Sequence, residues 1–171
     1  MNNGTVQLTK RLDFRPQDFT KDGVLQIGFI LWAVMLFLNR HLILLVFGAV
    51  TSLVGSRSGL DSSELVSLYS NPWFLLTSLP AAAVLVAAVR RDQKAGKMVR
   101  RLWRQGRWLL MLSAGLELAL LIALVILHRV GLNELHLVGA ILDSYVLFYL
   151  KRSAWAQARF ADFPAPHRQS S

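Results

Sequence analysis

The chain reads as an all-α, four-helix polytopic integral membrane protein with both termini cytoplasmic. Three observations predict this. Long apolar stretches recur at 24–54, 73–89, 108–127 and 132–150 of the 171 residues, and a spanning helix needs about 20 mostly apolar residues. The stretches are continuous runs of Leu, Val, Ala and Ile without alternation, so they suit helices and not the strands of a barrel, the other backbone solution in lipid. Lysine and arginine gather on alternate connections, and short cytoplasmic loops carry the excess of basic residues.

The polar segment 1–23 mixes Lys10, Arg11, Arg15 and Lys21 with Asp13, Asp18 and Asp22. It lacks the apolar core of a cleavable signal and is expected to be a cytoplasmic lead to an uncleaved first helix. The stretch 24–54 would make roughly 46 Å of helix, against a bilayer core of about 30 Å. It must therefore tilt, bend or leave the membrane, with Gly48 and Gly55 as candidate bends. The connection 56–72 is poor in basic residues, with Arg57 beside Asp61 and Glu64, and is expected outside. Within it, 64–69 could form a short helical turn on the membrane surface.

Pro72 suits the first turn of the second helix, where its missing amide would lack a partner anyway, and Trp73 suits the headgroup level. Pro80 should bend that helix unless its neighbours compensate. Ser78, Ala82, Ala83 and Ala87 are small residues at which another helix can approach closely. The next connection holds Arg90, Arg91, Lys94, Lys97, Arg100, Arg101, Arg104 and Arg107 against Asp92, which assigns it to the cytoplasm. There Met98, Val99, Leu102 and Trp103 fall three and four apart, the pattern of a basic amphipathic cytoplasmic helix lying on the headgroups and leading into the third span. The turn at 128–133 has only Arg129 and is expected outside. The polar end, 151–171, has Lys151, Arg152, Arg159 and Arg168 and is expected inside.

With 54% hydrophobic residues and a formal charge of +9, the chain suits a single membrane domain over 1–171 with no separate catalytic domain. Its basic residues are split among segments on one expected membrane face, so they point to anionic lipid and not to nucleic acid. The headgroup contacts would come from Lys97, Arg100, Arg101, Arg104 and Arg107. The absence of cysteine excludes disulfides, thiolate metal sites and thiol nucleophiles. His41, His128, His136 and His167 lack the spacing of a helical metal motif. Neither a metal nor a cofactor is expected. No internal repeat of the kind found in many transporters is visible.

The polar residues inside apolar stretches most need explaining: Asn39, Arg40 and His41 in the first, Glu117 in the third, His136 and Asp143 in the fourth. A charge at mid-membrane costs about 2.5–3.5 kcal/mol on insertion scales, so such groups face the bundle interior and pair. At 1.5 Å per residue, Glu117 lies roughly 14 Å from position 108 and Asp143 roughly 10 Å from position 150. Arg40 lies roughly 14 Å deep if its span starts at Leu31, and roughly 24 Å deep if it starts at Val24. The first register lets Arg40 pair with Glu117 or Asp143; in the second, Arg40 and His41 snorkel to the outer interface. His136, Gly139 and Asp143 share one helical stripe, expected to face the bundle.

Two functions fit this pattern. One is a non-enzymatic protein acting by helix packing, with itself or with a membrane partner, whose ion pair sets helix register. The other is a small proton- or ion-coupled transporter in which Glu117 and Asp143 titrate and Arg40 is the counter-charge. An enzyme acting on lipid headgroups would have only His41 with Asp61 or Glu64 to work with.

Short motifs add a resemblance: Asn39-Arg40-His41, Tyr69-Ser70-Asn71-Pro72-Trp73, Leu79-Pro80 and Trp103-Arg104-Gln105-Gly106-Arg107-Trp108. Over about residues 12–152 the chain resembles the small bacterial inner-membrane proteins of domain-of-unknown-function family 2919. The resemblance implies a bacterial inner-membrane location and carries no catalytic residues with it.

Overall fold

The computed structural model describes residues 25–54, 72–91, 95–128 and 134–163. The lead 1–23, the connection 56–71 with Asp61 and Glu64, the turn at 129–133 and the tail beyond 163 with His167 lie outside the described residues. Among the described residues there are six helices: α1 (Phe29–Leu38), α2 (Arg40–Val54), α3 (Pro72–Val89), α4 (Lys97–Ile126), α5 (Glu134–Arg152) and α6 (Ala154–Ala161). The all-helical class is as expected, and α3, α4 and α5 each cover one apolar stretch.

Of the options open to the stretch 24–54 the chain takes a bend: helix starts at Phe29 and breaks at Asn39, where α1 and α2 bend by 66°. The candidate bend at Gly48 is corrected, since α2 runs through it; Gly55 lies outside the described residues. Asn39 makes the bend by local competition. Its side-chain amide donates to Met35 O at 2.7 Å, while its backbone N–H is shared between Met35 O and Leu36 O. Such a side-chain bond offers the chain an alternative to the regular ladder and bends it.

A second correction concerns the basic segment. Residues 97–107 are not a separate helix; they are the first three turns of α4, which runs unbroken for 30 residues. Its buried positions Trp103, Gly106, Leu110, Ser113, Ala114, Glu117 and Leu121 recur every three or four residues and so form one stripe. α4 ends where His128 takes φ 52°, a left-handed conformation that terminates helices.

The third correction is at the polar C-terminal end, which contains α6. Ser153 caps it, accepting from Ala156 N–H at 3.2 Å, a side-chain cap of about 1 kcal/mol. The apolar residues Ala156, Phe160 and Phe163 then lie toward the core.

α4 is the axis of the packing, with α1, α3, α5 and α6 all against it. The buried stripe of α3 is Phe74, Thr77, Ser78, Ala81, Val84, Ala87 and Ala88; of the predicted small-residue row, Ser78 and Ala87 lie in it, while Ala82 and Ala83 are half-buried. α3 remains one helix through Pro80, and Ser113 Oγ on α4 donates to Thr77 O nearby. The core joins Leu31, Met35 and Leu38 of α1 to Val84 of α3, Leu110 and Ala114 of α4, and Leu150 of α5. Among the described residues, by length and composition α4 alone is long and apolar enough to cross a membrane, and α1 with the first part of α2 passes that test jointly across the bend.

Candidate functional site

The 66° break decides where the first polar cluster points. Immediately after it, α2 turns Arg40 and His41 inward toward Glu117 on α4 and Asp143 on α5. Arg40 forks onto Asp143, Nη1 to Oδ1 at 3.4 Å and Nη2 to Oδ2 at 3.0 Å. Nη2 also donates to Glu117 Oε1. Nη1 further donates to Phe37 O at 3.2 Å, and the guanidinium lies 4.0 Å from the centre of the Phe37 ring. Arginine fits this role because its planar fork presents several donors in fixed directions.

His41 completes the set. Its Nε2 lies 2.6 Å from Glu117 Oε1, and because a carboxylate only accepts, Nε2 is the donor. The imidazole is held by stacking on Phe74, centroids 5.1 Å apart and planes 16° from parallel. The side chains of Glu117 and Asp143 are 5% and 2% exposed and that of Arg40 18%, so the charges answer mainly to one another and not to solvent. Removing one partner from such a group is costly, because the others remain buried without compensation.

A pocket of about 170 Å³ lies against this cluster, lined by Arg40, His41, Glu117, His136, Gly139 and Asp143 with apolar walls that include Phe37, Phe74 and Leu121. The stripe of His136, Gly139 and Asp143 therefore faces the pocket, whereas Glu134 is exposed. Glu117 Oε2 is buried and has no hydrogen-bond partner among the described residues. No group of three or more His, Cys, Asp or Glu suited to a metal occurs among the described residues.

The basic residues lie elsewhere. Lys97, Arg101 and Arg104 are exposed on the first turns of α4, while Arg100 and Arg107 are half-buried. Lys97, Arg100, Arg101 and Arg104 border a shallow recess with Gln105. Arg100 lies over Phe163 and Arg107 over Trp108.

Sequence reasoning missed a second knot, where α6 meets the start of α4. Trp103 is fully buried, its indole N–H shared between Arg159 O at 3.0 Å and Asp162 O at 3.1 Å. Its ring packs on Phe160 at 4.9 Å, with the Arg91 guanidinium 4.7 Å from its centre. Arg91 donates to Leu25 O and Asp162 O, and Asp162 Oδ2 accepts from Leu25 N–H. Burial lowers the Arg91 pKa from its usual value, and Asp162 opposes that shift. The guanidinium stays charged at neutral pH all the same. The apolar spacing of Ala156, Phe160 and Phe163 behind a Ser cap was the available signal.

Fold and site together define an all-helical protein whose central helix collects a buried ionic tie from three elements. The particular family follows from comparison: the profile of the family described as Protein of unknown function (DUF2919) matches residues 14–162, and the chain belongs to that family. No curated protein and no solved structure matches the chain.

Proposed function

We propose that this is a multi-pass protein of the bacterial inner membrane, a single domain crossing four times with both termini cytoplasmic. α1 and α2 form one broken span; α3, α4 and α5 form the others. It works by helix packing, with a second copy or a membrane-protein partner, and without catalysis. The observation that carries this reading is the distribution of apolar surface. Large apolar side chains are exposed on every helix from α1 to α5, among them Phe29, Phe47, Leu76, Ile122, Ile141 and Phe148, whereas Glu117 and Asp143 are buried. In water so much exposed apolar surface would drive association; in lipid it is the expected exterior.

The absence of cysteine makes the test direct. Single cysteines replacing Ser58 and Gly131 should react with a membrane-impermeant maleimide on intact spheroplasts. Lys94→Cys and Ser170→Cys should react only after permeabilisation. Labelling of Lys94→Cys from outside would overturn the orientation.

A second reading, a small proton- or ion-coupled carrier, is favoured by one specific feature: the break at Asn39 lies beside a charged pocket. Interrupted helices lining polar sites at mid-membrane are how many carriers hold their cargo. In that reading Glu117 and Asp143 exchange a proton or ligand, with Arg40 as counter-charge. Uptake by reconstituted vesicles, abolished by Glu117→Gln with the fold retained, would select it.

A further inference from the structure

We infer that the recess beside the first two turns of α4 is a binding site for a phosphate monoester group, held by Lys97, Arg100, Arg101 and Arg104. The four positions fall at i, i+3, i+4 and i+7, so they share one helical face. All four border the same recess of about 490 Å³, together with Gln105. Lys97, Arg101, Arg104 and Gln105 are exposed and Arg100 is half-buried, so a ligand can reach them.

Charge gives the sign, and no histidine enters the count. The recess is bordered by three guanidiniums, one ammonium and an amide, with no carboxylate. Among the described residues no ion pair holds Lys97, Arg101 or Arg104. Like charges three and four residues apart oppose helix formation, and an anion in the recess relieves that cost at all four positions together. The first turn of α4 contains no acidic residue and Gly96 gives it no side-chain cap, so the helix dipole adds to the same sign.

Geometry gives the class of anion. Positions 97–104 cover roughly 10 Å of helix, enough to surround one phosphate group and too short for an extended polyanion. A carboxylate or a phosphodiester brings a single negative charge and two free oxygens. A monoester brings about −1.5 to −2 and three acceptor oxygens, and arginine forks engage such oxygens two at a time. Four cations, three of them forked, are matched by the monoester. Arg100 is placed in advance, its guanidinium 5.2 Å from the centre of the Phe163 ring, so the docking of α6 and the residues after it sets one fork of the site. Trp108, exposed one turn beyond Arg104, marks the headgroup level in the proposed orientation, where a lipid phosphate and a soluble phosphate ester both have access. The lipid source rests on the membrane reading; the recess does not.

The test titrates the purified full chain in a non-ionic detergent at about pH 8, above the second phosphate pKa of about 6. Binding is read by calorimetry and by the unfolding temperature. Two pairs of probes are compared at equal ionic strength: glycerol 3-phosphate with dimethyl phosphate, and dihexanoyl phosphatidic acid with dihexanoyl phosphatidylglycerol. A monoester is expected to bind and to raise the unfolding temperature, at least about tenfold tighter than its paired diester, the worth of one further charge-assisted hydrogen bond. Phosphatidic acid more than about tenfold tighter than glycerol 3-phosphate names lipid as the source, and comparable affinity names a soluble ester. Arg101→Gln with Arg104→Gln removes two exposed charges inside the recess and should weaken monoester binding about a hundredfold. Lys151→Gln with Arg152→Gln removes two exposed charges at the end of α5, outside the recess, and should change it less than about threefold, as for screened distant charges. All four of these side chains are exposed, so both double variants should keep the helical signal. Losses of equal size in the two double variants, monoesters no tighter than diesters in both pairs, or no monoester binding at all would each overturn the site. Labelling of Lys94→Cys from outside would overturn the orientation and leave the detergent result standing.

Discussion

Arg40 is the residue on which the interior depends, because its guanidinium is the counter-charge for Glu117 and Asp143. Arg40→Leu should lower stability in detergent by about 3–5 kcal/mol, the cost of leaving buried charges unpaired. Replacing Glu117 and Asp143 by Leu as well should recover most of that loss, since a well-packed apolar core can match a buried ion pair. Chemical denaturation in a fixed detergent measures both. Equal stability of Arg40→Leu and the parent would show that the tie holds nothing together. Part of this was legible in advance: counting residues by depth set Arg40, Glu117 and Asp143 near one level in one of the two registers left open, the one that starts the first span at Leu31. The bond from His41 to Glu117 was not, because its direction depends on the turn at Asn39 and on Phe74 of another helix.

At the scale of elements, helical identity was readable and helix boundaries were not. Apolar runs announced α3, α4 and α5, but a run of apolar residues does not show a 66° bend, which arises from one side-chain amide at Asn39. The basic segment shows the opposite error. Its amphipathic period suggested a surface helix, whereas Trp103 on its apolar face is buried against α6, a partner some 55 residues further along the chain, and Met98 alone of that face stays strongly exposed. Gly106 is where that docking is tightest: a Cβ there would lie 2.5 Å from the Phe160 ring. Gly106→Val should therefore cost about 1–3 kcal/mol by overpacking and expose the chain near Ser153 to protease. Adding Phe160→Ala should restore protection, because it removes the atoms in the way. If Gly106→Val resists proteolysis as well as the parent, α6 does not dock as described.

For the whole molecule, the segregation of charge is the property with the longest reach. The basic turns of α4 follow the cytoplasmic end of α3 in the proposed orientation, so they should hold the protein against anionic lipid. Juxtamembrane basic residues contribute about 1 kcal/mol each near an anionic surface. Changing Arg100, Arg101 and Arg104 together to Gln should weaken recruitment of phosphatidylglycerol into nanodiscs around the protein by roughly a hundredfold at low salt. The difference should shrink as salt rises, since exposed charges are screened. A parent protein that enriches phosphatidylglycerol no more than phosphatidylcholine would remove lipid as the partner of this face.

Composition and apolar run length by themselves determined that the chain is helical and which stretches make its main helices, because those properties are local and additive along the chain. The polar residues that interrupt the runs could also be picked out one by one, since a charge amid apolar residues is conspicuous wherever it falls. Only the tertiary structure decided how they meet: the break at Asn39 aims Arg40 and His41, α4 supplies Glu117 at the same level, and α5 supplies Asp143. The same holds for the knot around Trp103, which joins Leu25, Arg91 and Asp162 from three distant segments. Contacts of that separation depend on helix direction and facing, which a single bent turn can reset, and no local pattern encodes them.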